Sequence, residues 1–327
     1  MRLVTRSSLR PFFTSVFALT TALTVVSAQG LPAPSAAQQP AATFRGGVES
    51  ASVNVAVRDS RGRVVKNLKR SDFEVIDSGV RRDISDFYAG DAAISLGILL
   101  DISGSMAVGG NMDRARQAIE LVLATLEPPR DEAALYTFDS KLQEVVPFTT
   151  QLERIRRVSL EGRPWGTTTL YDSIGAAAKS AAERANRHRA LLVITDGVDT
   201  GSRLSAPEVS GIASSIDVPV YLLTVVNPLD HPGGELAVVT AADAATATAT
   251  LADLARWTGG DMRIASVPAH TVAAIADLLT ELRHQYLITF EPGTQPGWHP
   301  LEIRTPKKNL VVHARSGYIT DPSRSGS

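Results

Sequence analysis

The sequence predicts an α/β fold, a doubly wound and mostly parallel sheet flanked by helices in the Rossmann-like manner, plus a smaller β-sandwich-like unit built from the N- and C-terminal strands. Nearly continuous apolar runs are typical of strands that are buried on both faces. Four such runs occur, at 94–100, 133–138, 190–194 and 218–226. Helical patterns separate them, and alternation of buried strands with helices favours a parallel sheet.

The N-terminus has the three-part order of a secretory signal peptide. Three arginines among the first ten residues precede an uncharged apolar run from Pro11 to Val26, and Val26-Ser27-Ala28 supplies a small-residue cleavage site. We predict a signal peptide at 1–28 and therefore an extracytoplasmic protein, whether secreted, periplasmic or in the cell envelope. The apolar run is only slightly shorter than the roughly 20 residues that span a bilayer, so an uncleaved membrane anchor is the alternative.

The rest of the chain is predicted to divide into five segments. They are a disordered linker rich in Ala, Pro and Gln (29–43), an N-terminal β unit (44–90), an α/β domain (91–284), C-terminal β strands (285–320) and a disordered tail (321–327). Each β segment supplies only about three strands, which is marginal for independent stability. We therefore expect 285–320 to pack with 44–90.

The elements of these segments follow from periodicity. Amphipathic or alanine-rich helical patterns cover 112–126, 170–185, 205–216, 251–257 and 271–284. The C-terminal segment has three strand-like pieces, at 286–290, 301–304 and 310–319. Alternating apolar residues with glycine turns between them predict short antiparallel strands over 52–88.

Composition excludes several classes of function. Lys and Arg total 33 against 34 Asp and Glu, and loss of the three N-terminal arginines would take the formal net charge from −1 to −4. We therefore expect no nucleic-acid partner, and membrane contact only if the N-terminal segment stays uncleaved. The chain has no cysteine, so disulfides, thiolate metal sites and cysteine nucleophiles are excluded.

Polar residues that follow the buried strands form the candidate site. In open doubly wound sheets, ligands bind beyond the carboxyl ends of the strands. Three segments are expected at that edge, namely 101–106 after the first run, 166–172 before the second helix and 195–197 after the third run. They offer carboxylates and hydroxyls, which are hard oxygen donors.

Oxygen donors of this kind suit Mg²⁺ or Mn²⁺. Asp101, Ser103 and Ser105 alternate, so an extended strand end would point them to one side, and Gly104 would let the backbone turn beneath the ion. Two aspartates balance the charge of the ion without filling its coordination shell. One position would then stay open for an external carboxylate.

These residues resemble the von Willebrand factor A domain with a complete metal-ion-dependent adhesion site. The D-x-S-x-S motif of the family matches 101–105, its threonine loop aligns through Leu170-Tyr171-Asp172, and its T-D-G motif matches 195–197. The resemblance covers roughly 94–284. It implies direct coordination by Ser103, Ser105 and Thr168, with Asp101 and Asp196 often acting through water.

The β segments also resemble a subgroup, the exported bacterial proteins related to von Willebrand factor A domains. The resemblance rests on the N-terminal β unit, Thr258-Gly259-Gly260, Gln285-Tyr286-Leu287 and Arg315-Ser316-Gly317-Tyr318. In that subgroup, strands flank the A domain on both sides. The resemblance thus implies the same pairing of the two β segments.

Several neighbouring residues have more than one interpretation. Thr167 stands where the family usually has a second glycine, and it becomes the ligand if the alignment shifts by one residue. Asp172 is expected to cap a helix or support a ligand, Asp139 to lie in a turn and Asp199 to be a solvated loop acid. Trp165 is either an exposed anchor for a partner or an ordinary packing residue. The 227–250 loop is either a disordered insertion or a binding element.

The sequence predicts a binding protein without catalytic or organic-cofactor-binding residues. It has no nucleophile elbow and no phosphate-binding glycine loop, and its six histidines are scattered and expected at the surface. We predict an exported adhesion or interaction module whose Mg²⁺ or Mn²⁺, held by Asp101, Ser103, Ser105, Thr168 and Asp196, binds an Asp or Glu carboxylate of a protein partner. An envelope scaffold with a structural or vestigial metal site is the alternative. A metal-assisted hydrolase is a weaker one, since no general base is offered.

Overall fold

The computed structural model describes residues 50–160, 164–227 and 247–320, with the backbone alone for 247–250. The predicted signal peptide, linker and tail lie outside these ranges, as does most of the 227–250 loop. All described residues belong to one compact unit.

The described residues form fourteen strands. They are β1 (Ala51–Asp59), β2 (Glu74–Asp77), β3 (Val80–Arg82), β4 (Ile84–Tyr88), β5 (Ile94–Asp101), β6 (Glu132–Phe138), β7 (Leu142–Thr149), β8 (His188–Thr195), β9 (Val220–Val225), β10 (Met262–Ala265), β11 (Tyr286–Phe290), β12 (Gly297–Arg304), β13 (Leu310–Ala314) and β14 (Gly317–Thr320).

Six α-helices lie between these strands in the described ranges. They are α1 (Asn111–Thr125), α2 (Glu153–Arg156), α3 (Leu170–Ala182), α4 (Ala206–Ser215), α5 (Ala247–Trp257) and α6 (Pro268–Arg283). Two short 3-10 turns, Arg70–Asp72 and Gly104–Ala107, complete the helical elements.

The central sheet has the order β10-β9-β8-β5-β6-β7. All its neighbours are parallel except β7, which runs antiparallel to β6 at the edge. Every residue of β5, β6 and β9 is buried, because helices cover both faces of the sheet. Side chains of α1 and α6 pack on one face, and those of α3, α4 and α5 pack on the other.

The strand order reverses between β5 and β8. After β5 the chain builds β6 and β7 on one side, and it then crosses to build β8, β9 and β10 on the other. The connections that leave the carboxyl ends of β5 and β8 therefore diverge, which opens a crevice between them. This crevice is where a doubly wound sheet binds its ligands.

Strands from the two ends of the chain mix in two further four-stranded antiparallel sheets, β13-β1-β11-β4 and β14-β12-β2-β3. Val53 and Val55 of one sheet and Val75 and Ile303 of the other belong to the same buried cluster. The sheets thus share a core as a β-sandwich does. The predicted fold class is confirmed for both the central sheet and the terminal strands.

The prediction of a single strand over 310–319 is wrong. This segment forms two strands, β13 and β14, and they lie in different sheets. Arg315 lies between the two strands. Its guanidinium is buried and donates to the carbonyls of Ser52 and Ser214. Gly317 then passes so close to the indole of Trp298 that a Cβ there would lie 2.3 Å from it.

Candidate functional site

The first candidate segment begins at the end of β5. Asp101 is the last residue of the strand and is buried. Its Oδ1 accepts a hydrogen bond from the Ser103 backbone N–H at 2.8 Å, which turns the chain immediately. The Oγ atoms of Ser103 and Ser105 lie 3.1 Å apart. Ser103 is buried and Ser105 is exposed, so the hydroxyl pair lies at the protein surface.

The expectation that an extended strand end presents these residues is wrong for Ser105. Ser105 belongs to the 3-10 turn Gly104–Ala107, and β5 ends at Asp101. The hydrogen bond from Ser103 N to the Asp101 carboxylate ends the extended segment. The 3-10 turn nevertheless brings the two serine hydroxyls together, so proximity arises from a turn and not from strand alternation.

The second candidate acid follows β8. Asp196 Oδ1 is buried and accepts no hydrogen bond from the described residues. Its neighbour Thr195 donates its hydroxyl to Asp101 Oδ2 at 2.6 Å and accepts a hydrogen bond from Gly197 N at 3.1 Å. Gly197 has a φ of 94°, a backbone conformation that favours glycine. The end of β8 is therefore fixed against the end of β5.

The threonine loop is fixed by its backbone. The Thr168 N–H donates to the hydroxyl of Thr200 at 2.9 Å, and the Thr168 carbonyl accepts from the N–H groups of Thr200 and Gly201 at 3.0 and 2.9 Å. The loop also touches the first segment, because Gly104 N donates to the Gly166 carbonyl at 3.3 Å. Thr168 is buried and Thr167 is exposed.

Hydrogen bonds thus join the three candidate segments in pairs. The first segment contacts the threonine loop through Gly104 and Gly166. Thr168 of the threonine loop contacts Thr200, in the loop that continues the last segment. Thr195 of the last segment contacts Asp101 of the first. All three lie beyond the carboxyl ends of β5 and β8, where the strand order reverses. The five predicted metal ligands belong to these segments.

Burial and charge act together on Asp101. Removal from water raises the pKa of its carboxyl group above the ordinary value, and the charge of Asp196 raises it further. Hydrogen bonds from Ser103 and Thr195 act in the opposite direction. The site therefore holds two mutually repelling carboxylates in a partly desolvated position, an arrangement that a nearby cation would stabilise.

Asp199 is not the solvated loop acid that the sequence suggests. Its Oδ1 accepts hydrogen bonds from Leu170 N at 2.8 Å and from the Ser202 hydroxyl at 2.6 Å. Because Leu170 is the first residue of α3, Asp199 caps that helix from another loop. It anchors the helix that begins directly after Thr168 and Thr169.

Asp172 and Asp139 take structural positions beside the site. The Asp172 carboxylate accepts hydrogen bonds from the N–H groups of Arg203 and Leu204, the nearest at 2.9 Å. Asp139 accepts from Lys141 N at 3.1 Å, as expected for a turn. Its carbonyl accepts from Thr169 N and so supports the threonine loop.

Three large apolar side chains are exposed on the loops that carry the candidate ligands. They are Val108 (66% exposed), Trp165 (84%) and Val198 (50%). The backbone of Trp165 is held by its hydrogen bond to the Ile102 carbonyl at 3.0 Å. We call these three residues the apolar rim. Of the two interpretations of Trp165, packing inside the protein does not agree with its exposure.

None of the five histidines that the structure describes is fully exposed, contrary to the expectation that they lie at the surface. His188 and His299 are buried, and His270, His284 and His313 are half-buried. His188 begins a strand of the central sheet, and His299 stacks on Tyr318 with ring centroids 5.0 Å apart. In the described ranges, no three His, Asp or Glu side chains cluster in a way that could hold a metal. The candidate set differs because it combines two acids with three hydroxyls.

A family comparison covers these same segments. Residues 96–198 match the sequence model of the von Willebrand factor type A domain. Over these residues the chain is similar to a von Willebrand factor A domain. The matched region begins within β5, ends just after Asp196 and includes the five predicted ligands. None of the curated proteins compared with the chain matches it in sequence.

Solved structures resemble part of the chain at low identity. An aerotolerance-related membrane protein from Bacteroides fragilis is 20% identical over 58% of this chain and 98% of its own, with a TM-score of 0.44. Protein BatB from Bacteroides thetaiotaomicron is 19% identical over the same shares, also with a TM-score of 0.44. Proximal thread matrix protein 1 of the mussel byssus, with a zinc-occupied adhesion motif, is 13% identical over 62% of this chain and 48% of its own, with a TM-score of 0.46.

Proposed function

We propose that the A domain of this protein is a divalent-cation-dependent protein-binding module, in which Asp101, Ser103, Ser105, Thr168 and Asp196 hold Mg²⁺ or Mn²⁺. The observation that carries the proposal is the junction of the three loops beyond β5 and β8. Von Willebrand factor A domains are typically interaction modules of this kind.

The donor chemistry supports a hard cation. Asp196 Oδ1 is a buried acceptor without a hydrogen-bond donor in the described chain, and such an atom is costly unless a donor or a cation reaches it. The hydroxyls of Ser103 and Ser105 lie 3.1 Å apart on the loop after β5, and the charge of Asp196 acts on Asp101. Oxygen ligands with two negative charges match what Mg²⁺ and Mn²⁺ bind.

The partner is proposed to supply a carboxylate. Two aspartates and three neutral hydroxyls leave the bound ion with an unfilled coordination position, and an Asp or Glu side chain of another protein would complete it. The apolar rim lies on the same three loops and would pack against the partner around that carboxylate. Binding rather than catalysis is proposed, because the site offers ligands and a docking surface but no general base.

The location is proposed from the N-terminus. The predicted signal peptide at 1–28 supports an extracytoplasmic protein, secreted, periplasmic or in the envelope. Within the described ranges, no helix is both long enough and apolar enough to cross a bilayer.

The metal claim is tested by thermal unfolding of chelator-stripped protein titrated with MgCl₂ or MnCl₂. A bound ion stabilises the folded state by mass action, so the melting temperature of the wild type should rise with metal concentration. Asp101→Ala should lose this rise. Asp139→Ala is the matched control, since Asp139 is a neighbouring acid outside the ligand set. An equal rise in Asp101→Ala and the wild type would refute the metal site.

The partner claim needs a second experiment. Immobilised protein is incubated with cell-envelope extract in Mg²⁺ and again in chelator, and the retained proteins are compared. Partners that require the cation, and that Asp101→Ala fails to retain, support the proposal. Partners retained equally in chelator would instead indicate a scaffold in which the metal has no role in binding.

A further inference from the structure

A polar cavity lies where the terminal sheets meet the A domain, and none of the candidate metal ligands lines it. Its volume is about 310 Å³. Its walls come from the beginnings of β1 and β8, the end of α4 and β14. The side chains that matter here are two arginines, Arg189 and Arg315, and one acid, Asp217.

Arg315 is a buried cation with incomplete neutralisation. It is only 5% exposed, and its two terminal nitrogens donate to the neutral carbonyls of Ser214 and Ser52. Its Nε lies 3.5 Å from Asp217 Oδ1 and forms no hydrogen bond in the described structure. Burial lowers the pKa of this guanidinium below its usual value; the charges of Asp217 and Tyr318 act in the opposite direction, and the charge of Arg189 adds to the lowering.

Asp217 does not balance both arginines. It is the one carboxylate among the residues that line the cavity, and it also accepts hydrogen bonds from the backbone and side-chain nitrogens of Asn54, at 3.4 and 2.7 Å. Its φ of 53° is an uncommon conformation for a residue other than glycine. The cavity therefore carries two positive charges against one negative charge.

The unpartnered atoms of these arginines are all donors. Arg189 donates one terminal nitrogen to the Ala182 carbonyl at 2.7 Å, but its Nε, like that of Arg315, has no hydrogen-bond partner in the described structure. Both Nε atoms are shielded from solvent, so the terminal nitrogens of Arg189 are the donors that a ligand in the cavity could reach. The guanidinium fork matches an oxyanion better than any neutral acceptor, because it provides parallel N–H groups and a charge together.

We infer that this cavity is a binding site for a small oxyanion of the phosphate or sulfate type, with Arg189 as the contacting cation and Arg315 as the buried charge behind it. Hydroxyl side chains complete the polar wall of the cavity; they are Ser50, Ser52, Ser215 and Thr320. The ligand would stabilise the contact between the terminal sheets and the A domain.

The test compares sodium phosphate, sodium sulfate and sodium chloride at equal ionic strength, with thermal unfolding and titration calorimetry as readouts. Phosphate or sulfate should raise the melting temperature of the wild type above its value in chloride. Arg189→Gln should weaken phosphate binding on the order of tenfold, because it removes a charge-assisted bidentate contact. Arg157→Gln, which removes an exposed arginine outside the cavity, should bind phosphate as the wild type does.

Equal melting temperatures in the three salts would overturn the inference, as would unchanged phosphate affinity in Arg189→Gln. If Arg189→Gln does not fold, Arg189→Lys takes its place. This variant keeps the positive charge but loses the parallel N–H groups of the guanidinium. Unchanged phosphate affinity in Arg189→Lys would also overturn the inference. Sedimentation with phosphatidylglycerol vesicles separates a free ion from a lipid headgroup. Arg189-dependent vesicle binding without Arg189-dependent phosphate binding would refute the free-ion site.

Discussion

The hydroxyl of Thr195 donates to Asp101 Oδ2 at 2.6 Å and thereby joins the carboxyl ends of β8 and β5 where the strand order of the sheet reverses. The second oxygen of Asp101 is held by Ser103 N. Both oxygens of this candidate ligand are thus oriented by hydrogen bonds, one from the loop after β5 and one from the end of β8. Such supporting contacts tune metal sites as much as the ligands do.

Thr195→Val should lower the affinity for Mg²⁺ between about 10- and 100-fold, as is usual when a group that orients a ligand is lost. The side chain keeps its shape, but Asp101 Oδ2 loses its hydrogen bond from Thr195. Calorimetric titration with MgCl₂ measures the effect. Thr224→Val is the matched control: Thr224 pairs with Thr195 in the adjacent strand, and its hydroxyl has no partner in the described structure. Equal losses in both variants would contradict the role of Thr195.

Asp199→Ala should lower the free energy of unfolding by about 1 kcal/mol, the usual cost of losing a helix cap. It should also weaken Mg²⁺ binding, because α3 begins just after Thr168 and Asp199 holds its first N–H. Urea unfolding and metal titration measure the two effects. Asp199→Asn keeps an acceptor for Leu170 N and should recover most of both. An alanine variant as stable as the wild type would show that the cap contributes nothing.

The central sheet is the part of the fold that the sequence predicts best. Strands β5, β6, β8 and β9 are covered on both faces, so each appears as a continuous apolar run. Strand β7 was not predicted, because it lies at the edge, is partly exposed and contains Pro147. Strand β10 is only four residues long. Edge strands and very short strands lack the apolar pattern on which the prediction depends.

The segments of the candidate site were predictable, but their supporting contacts were not. The position of each motif after a buried strand predicts that the motifs meet at one edge. The cap by Asp199 and the contact of Thr168 with Thr200 join residues about 30 positions apart, and no periodic pattern indicates them. The 3-10 turn at Ser105 depends on a local hydrogen bond to the Asp101 carboxylate, which residue alternation alone does not indicate.

Val198→Ser should reduce retention of a Mg²⁺-dependent partner several-fold without changing the Mg²⁺-induced rise in melting temperature. The substitution removes apolar contact area from the rim but no metal ligand. Retention from envelope extract, with the chelator background subtracted, is the measurement. Val311→Ser is the control, since Val311 is equally exposed (52% against 50%) but lies on β13 in a terminal sheet. If both variants retain the partner equally, the rim does not contact it.

The free energy of unfolding should decrease as the pH is lowered, because of His188. Its ring is buried, and neither ring nitrogen has a hydrogen-bond partner in the described structure. Burial lowers the pKa of the ring to about 4, and the charge of Arg187 contributes to this lowering. The unfolded state, with an ordinary pKa of 6.5, binds the proton first as the pH falls. The free energy of unfolding is therefore highest above pH 6.5. It decreases by about 3 kcal/mol in total as the pH falls toward 4.

His188→Leu tests this linkage, because leucine cannot bind a proton. Urea unfolding of both proteins between pH 4 and pH 8 gives the difference in unfolding free energy. Carboxylates contribute equally to the two curves, so the difference isolates His188. It should be constant above pH 7 and should change in favour of the leucine variant as the pH falls through 6.5. Parallel curves over the whole range would exclude His188 as the source.

Two glycines near β9, Gly211 and Gly260, should respond to alanine with opposite signs. A Cβ at Gly260 would lie 2.1 Å from the carbonyl oxygen of Val220, a backbone atom of β9 that cannot move without disturbing the sheet. Gly260→Ala should therefore lower the unfolding free energy by about 2 to 4 kcal/mol. A Cβ at Gly211, within α4, meets nothing within 4 Å, so Gly211→Ala should raise the unfolding free energy by about 0.5 to 1 kcal/mol. Urea unfolding of the two variants measures both changes. An unfolding free energy of Gly260→Ala equal to or above that of the wild type would show that the close approach to Val220 does not require glycine at position 260.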